Sequence, residues 1–268
     1  MFRTNRTLHT LAITGLALAS LNGCNSESTV GPAPDAAPPG PSAERMTFRF
    51  DFFQEPGSLE RSSKANFFNA YIRAAVAGAV TQLLLVPPVT AFALALDTVP
   101  SRQDDGSYLW IYTYVHGAEE AQIRLRGEFI SGDRVRWEMR ASSTLDGFEN
   151  ELWFTGETWS DGDEGDLQFH DFERAGKPVV ASLQWGHDTD GNYLRFVDEL
   201  DHPGNSLQYR EDGTRKSFDW TDGAVEDQSW YVRWNEADGA GSLRAADYNG
   251  GEPACWDSRQ NDTVCAAE

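Results

Sequence analysis

Lysine is nearly missing from this chain: Lys64, Lys177 and Lys216 are the only three in 268 residues. Basic residues total 22 against 42 acids, for a net charge of -20. Phosphate backbones are held by basic footprints, so the balance argues against a nucleic-acid partner. Cysteine is scarce too, at three residues, and no CxxC pair occurs. Zinc-ribbon and thioredoxin-type readings therefore have no support. No Gly-x-Ser-x-Gly, HExxH or P-loop pattern is present, and no cofactor signature is seen. Beyond the N-terminal segment the histidines are His116, His170, His187 and His202, far apart at turns or strand ends. Carboxylates are too abundant for any glycosidase-type pair to be singled out.

What the chain does have is apolar and aromatic mass. Hydrophobic residues make up 40%, with nine Trp and fifteen Phe, enough to build a core and to exclude wholesale disorder. The acid-rich, lysine-poor surface resembles that of proteins from salt-loving bacteria, where salt screens the self-repulsion. An ordinary acidic secreted protein is the equal alternative.

The first segment reads as an address. Arg3 and Arg6 precede an apolar run over Leu11–Ala19 and then Leu21-Asn22-Gly23-Cys24. Residues 1–23 are expected to be a secretory signal peptide, outside the fold. Residues 24–44, rich in Pro, Ala and Ser, read as a tether. Residues 45–268 are then a single domain. In an exported chain Cys255 and Cys265 are an even pair, and a disulfide is their natural use.

The period of the apolar residues sets the fold class. Met46, Phe48, Phe50 and Phe52 alternate with Thr47, Arg49 and Asp51, which predicts a strand over 45–53. Over 63–96 the period is helical. Phe67, Phe68, Tyr71, Ile72, Ala75, Val76, Ala79, Val80, Leu83 and Leu84 form the expected core face, and Pro87-Pro88 ends or kinks the helix. The stretch Ala74–Leu96 carries no charge, but the proline pair and Gln82 argue against a membrane span, and a buried helix pair is expected. From Tyr108 onward apolar residues alternate, with Asp-Gly turns such as 146–147, 190–191 and 212–213 between them. This predicts a mainly β fold: a long antiparallel meander of about eleven strands curled into a barrel or half-barrel. One or two N-terminal helices would plug it.

Two motifs need weighing. Asp188, Asp190, Asn192 and Glu199 have the spacing of calcium-loop ligands, but Tyr193 stands where that loop needs Gly, so a hairpin turn is the favoured reading. Asp161, Asp163 and Asp166 form a similar acidic turn. Arg124, Arg126, Arg134, Arg136 and Arg140 are expected on one sheet face, pairing across strands with Glu128 and Glu138.

The Leu21-Asn22-Gly23-Cys24 sequence resembles a bacterial lipoprotein lipobox, with Asn22 a departure from the usual Ala or Ser. That resemblance implies cleavage before Cys24, acyl chains such as palmitate on Cys24, and a cell-envelope location with the membrane as partner. The expected shape is similar to the half-barrel of periplasmic lipoprotein carriers of the LolA/LolB type. Tyr108-Leu109-Trp110, Val135-Arg136-Trp137-Glu138 and Cys255-Trp256-Asp257 resemble uncharacterised envelope lipoproteins with a Trp-rich meander and a Cys-Trp-Asp…Cys tail. Three functions follow in order: a non-enzymatic lipoprotein holding an apolar ligand or lipid, a structural or surface-interaction module with a filled core, and an envelope-polymer hydrolase.

Overall fold

The computed structural model describes residues 36–53, 63–225 and 228–266. The expected signal peptide, Cys24 and the first part of the expected tether lie outside the described residues.

Fourteen antiparallel strands form one sheet in strict chain order. They are β1 (Ser101–Arg102), β2 (Tyr108–His116), β3 (Glu119–Phe129), β4 (Arg134–Ser143), β5 (Phe148–Trp159), β6 (Gly165–His170) and β7 (Val179–Asp188). The second half is β8 (Gly191–Asp198), β9 (Ser206–Asp212), β10 (Arg215–Thr221), β11 (Trp230–Asn235), β12 (Gly241–Ala245), β13 (Ala254–Trp256) and β14 (Asp262–Thr263). The eleven expected strands correspond to β2–β12. The additional three, at the two ends of the sheet, have two or three residues each, too short to show a period. β1 and β14 are the free edges, so the sheet is an open, half-barrel type and not a closed barrel.

Meander topology follows from short hairpins, which let each strand pair with the next. In the β9–β10 turn, Asp212 pairs with Arg215 and Gly213 takes φ 57°, a conformation that costs glycine little. Because side chains alternate faces, fixing the register fixes one apolar layer. A single register row runs Val135, Thr158, Gly165, Trp185, Leu194, Tyr209, Phe218, Val232, Leu243. All but Gly165 are buried. A Cβ at Gly165 would stand 2.5 Å from Trp185 Cζ2, so the glycine seats the indole ring.

The apolar face is covered by the chain's own N-terminal part. Residues 45–53 form no strand, contrary to the expected one. They run across the sheet face and end in a 3-10 turn at Asp51–Phe53. Phe50 stacks on Phe218 at 4.5 Å and Phe52 on Trp234 at 5.6 Å. Any extended chain lying on a core alternates buried and exposed side chains, and alternation alone does not supply a hydrogen-bonded neighbour. Residues 36–44, placed in the tether by composition, also pack on the domain. Pro38 and Pro41 are buried, and a Cβ at Gly127 would meet Pro38 Cγ at 3.1 Å.

Helix α1 (Ala65–Leu84) and helix α2 (Val86–Leu96) return across the same face. α1 touches β12, β13 and β14, while α2 touches β2 and β3. Pro87 and Pro88 sit in the first turn of α2, where a missing N–H costs nothing. Phe92 of α2 packs against Trp137 at 5.4 Å and Phe154 at 5.6 Å.

The face of α1 turned to the sheet is not the expected one. Phe67, Ala70, Ala74, Ala77, Gly78 and Thr81 are buried, whereas Ile72, Ala75, Val76 and Ala79 are exposed. The reason is steric. The sheet already supplies Trp and Phe, so the approaching helix must be thin. At Gly78 an added Cβ would lie 3.3 Å from the Phe50 ring.

Candidate functional site

Several recesses accompany this architecture, and three bear on the chemistry of a site. The first, about 220 Å³, lies between residues 42–49 and strands β7–β9. Its chemistry comes from Arg45, Arg49, Asn192, Tyr209 and Glu211. In the period-two pattern Glu211 is in phase with Tyr209 and Leu207, and Lys216 is in phase with Phe218. Both charges therefore face inward, and each needs a partner. Lys216, only 7% exposed, lies 2.6 Å from Glu211 Oε1 and 3.8 Å from Glu236. The Tyr209 hydroxyl donates to Glu211 Oε2 at 3.1 Å. Burial, then the Glu211 charge, pushes the Tyr209 hydroxyl well up, so it keeps its proton. Burial works to raise Glu211, but its hydrogen bond and charge contact with Lys216 outweigh it and the carboxyl is lowered. A tyrosine held neutral and a glutamate held ionised exchange no proton near neutrality. The cluster closes the apolar layer at its polar rim. Sequence reasoning passed over it, although the parity of Lys216 and Glu211 with their apolar neighbours carries the signal.

The second recess, about 670 Å³, is wide and polar. Arg210, Arg215, Asp219 and Arg233 line it with Ser217 and Gln208. Burial raises the Asp219 carboxyl, against the Ser217 hydrogen bond and the Arg233 and Arg210 charges. The third, about 240 Å³, lies under the α1–α2 junction between Phe48, Phe50, Leu85 and Val89. It is the apolar one, and it is smaller than the roughly 300–1,000 Å³ usual for small-molecule sites.

The residues singled out in the sequence are dispersed. Asp188 takes both of its contacts to Arg210 Nη1 at 2.8 Å and accepts the Asp190 N–H, as a hairpin turn should. Asn192 lines the first recess, and Glu199 accepts from the Ser182 hydroxyl at 2.7 Å. Among the described residues no group of three or more His, Cys, Asp or Glu is placed to hold a metal ion. His116 stacks on Tyr114, His170 Nδ1 meets the Lys177 carbonyl, His187 meets Glu164 and His202 meets Asp198. Asp163 pairs with Arg45 at 3.0 Å, and burial, then the Glu157 charge, raises Asp166. Four of the five expected arginines are in ion pairs: Arg134 and Arg136 with Glu157, Arg140 with Glu138, and Arg126 with Asp105. Glu157 and Asp105 thus do part of the work expected of Glu128.

At the C-terminal edge, the Cys255 and Cys265 sulfurs are at disulfide distance, with Cα atoms 5.2 Å apart. Trp256 is buried between them and the core, edge-on to Phe67 at 5.7 Å. Among the described residues no helix is long and apolar enough to cross a membrane.

No protein-family model, no curated protein and no solved structure matches this chain.

Proposed function

We propose that this chain is a lipid-anchored, non-enzymatic protein of the bacterial cell envelope, with a β domain that acts as a structural or interaction module. The observation that carries the module reading is the covering of the apolar sheet face by the chain itself. Phe50, Phe52, Phe67 and Phe92 cover the apolar face, which a lipid carrier would keep open for acyl chains. The apolar recess under the α1–α2 junction, at about 240 Å³, is small for a lipid. The anchor reading rests on Leu21-Asn22-Gly23-Cys24 and the Pro-rich stretch behind it. Two or more acyl chains on Cys24 would hold the domain stably at a membrane, where one alone is marginal.

Native mass spectrometry of the protein purified without detergent tests the module reading. The polypeptide with its own anchor mass and nothing further bound is expected. A stoichiometric free lipid would restore the carrier reading. Membrane fractionation tests the anchor: Cys24→Ser should move the protein from the membrane to the soluble fraction.

A further inference from the structure

The outward face of α1 is unlike the surface around it. Ile72, Ala75, Val76 and Ala79 recur at helical spacing on the side away from the sheet. Ile72 is 42% exposed, Val76 61%, and Val86 at the start of α2 continues the stripe at 45%. A surface helix ordinarily turns polar residues outward, and one that is apolar on both sides is seeking a second apolar neighbour.

Charge narrows the choice of neighbour. The chain holds 42 acids, yet none occurs between Glu60 and Asp97. The charged residues inside that interval are Arg61, Lys64 and Arg73. Arg73 pairs with Asp247, and Asp51 stands near Val86, so acids rim the stripe without entering it. A second copy of a chain with net charge -20 would bring two strongly acidic bodies together. A phospholipid surface accepts an uncharged apolar stripe on a domain that is tethered to it.

Chain path points the same way. Gly40 is packed against Leu96 at the end of α2, where an added Cβ would fall 2.1 Å from Leu96 Cδ1. The segment leading back to Cys24 therefore joins the domain beside the helix pair. Only eleven residues separate Cys24 from Ala36. Their full extension is about 40 Å.

We infer that the outward stripe of α1 and the start of α2 dock on the phospholipid surface that holds the anchor, fixing which side of the domain faces the membrane. This rests on the lipid-anchor reading. The anchor supplies the affinity and the stripe supplies the orientation.

The test uses the full lipidated chain reconstituted in phosphatidylethanolamine–phosphatidylglycerol vesicles. An environment-sensitive fluorophore is placed at Val76→Cys and, for comparison, at Val115→Cys, which is 62% exposed at the far end of β2. Both sites are exposed, so neither label should disturb the fold. Nitroxide-bearing lipids should quench the label at 76 several-fold more than the label at 115. Equal quenching overturns the docking while leaving the anchor reading intact. Loss of the anchor reading shows separately, as an unmodified Cys24 in the mass of the same preparation. Burial of the label at 76 without vesicles, with a dimer in sedimentation of the Cys24→Ser form, would assign the stripe to a second copy and overturn the membrane assignment.

Discussion

The Asp262 carboxylate in β14 accepts the backbone N–H of Asn66 at 2.9 Å and that of Ala65 at 3.2 Å, so the C-terminal edge caps a helix 196 residues upstream. Lys64, the residue at the cap position, makes no side-chain cap bond of its own. Two further bonds hold the joint: Asn66 Nδ2 donates to the Cys255 carbonyl and the Tyr248 hydroxyl donates to Asn66. Helix N-terminal amides otherwise lack partners, and a carboxylate there also meets the positive end of the helix dipole. Asp262→Ala should lower unfolding free energy by about 0.5–2 kcal/mol, the usual range for loss of an N-cap. Urea denaturation checks it, and a change below about 0.3 kcal/mol would remove the cap from the account.

The Cys255–Cys265 pair bears on the same joint. The closed loop is short, so a disulfide should contribute about 2–3 kcal/mol by chain entropy. Cys255→Ser with Cys265→Ser should lose that amount. The disulfide orders the strand that carries Asp262, so adding Asp262→Ala to the double serine variant should cost less than it does alone. Full additivity would show the tail and the helix cap to be independent. Non-reducing peptide mapping is the direct check on the bond.

Gly78 tests whether the apolar face is filled. Gly78→Leu places a side chain against the Phe50 ring, where even a Cβ would lie at 3.3 Å. Overpacking of this kind costs about 1–3 kcal/mol. Ala75→Leu, on the outward face, should change stability by no more than about 0.5 kcal/mol. If both variants are neutral, the space between helix and sheet is slack.

Asp219 gives a pH prediction. Burial raises its carboxyl above the ordinary 3.8 despite Ser217 and the two arginines. The folded state therefore binds this proton more tightly than the unfolded state. Its contribution to stability rises as pH falls from neutrality through the raised value and levels off below 3.8. Asp219→Asn removes the cost of the buried charge, so it should raise the melting temperature at pH 7. The gain should shrink as the pH is lowered into the carboxylate range. A lower melting temperature at pH 7 would mean that Arg210 and Arg233 outweigh burial.

Much of this architecture is visible in the linear chain. Alternation such as Val135, Trp137, Met139 marks the strands, and Asp-Gly pairs mark their ends, because a half-buried strand and a tight turn each impose a local rule. The same rules mislead where burial comes from elsewhere. Phe48 and Phe50 alternate with polar neighbours like a strand but lie unpaired on the sheet face. In α1 the larger apolar stripe looked like the core face. The choice between faces depended on bulk already lying on that side, such as the Phe50 ring against Gly78 and Trp256 against Phe67, which α1's own pattern does not contain. Pro38 and Pro41 read as tether because composition does not show that Gly127 and Gly162 leave room for their rings. Among the sites, the Cys255–Cys265 pair was legible as the even count that remains once Cys24 is set aside. The Tyr209–Glu211–Lys216 cluster is local to the β9–β10 hairpin, and in the sequence only the parity of Glu211 and Lys216 with their apolar neighbours marks it.

Cys24 carries the central claim, and the intact mass of protein purified from membranes tests it most directly. The account predicts a chain beginning at residue 24 with diacylglycerol on Cys24, and in many species a third acyl chain on its amine. A chain retaining residues before Cys24, or beginning at Cys24 or later with a free thiol or no lipid mass, would contradict it.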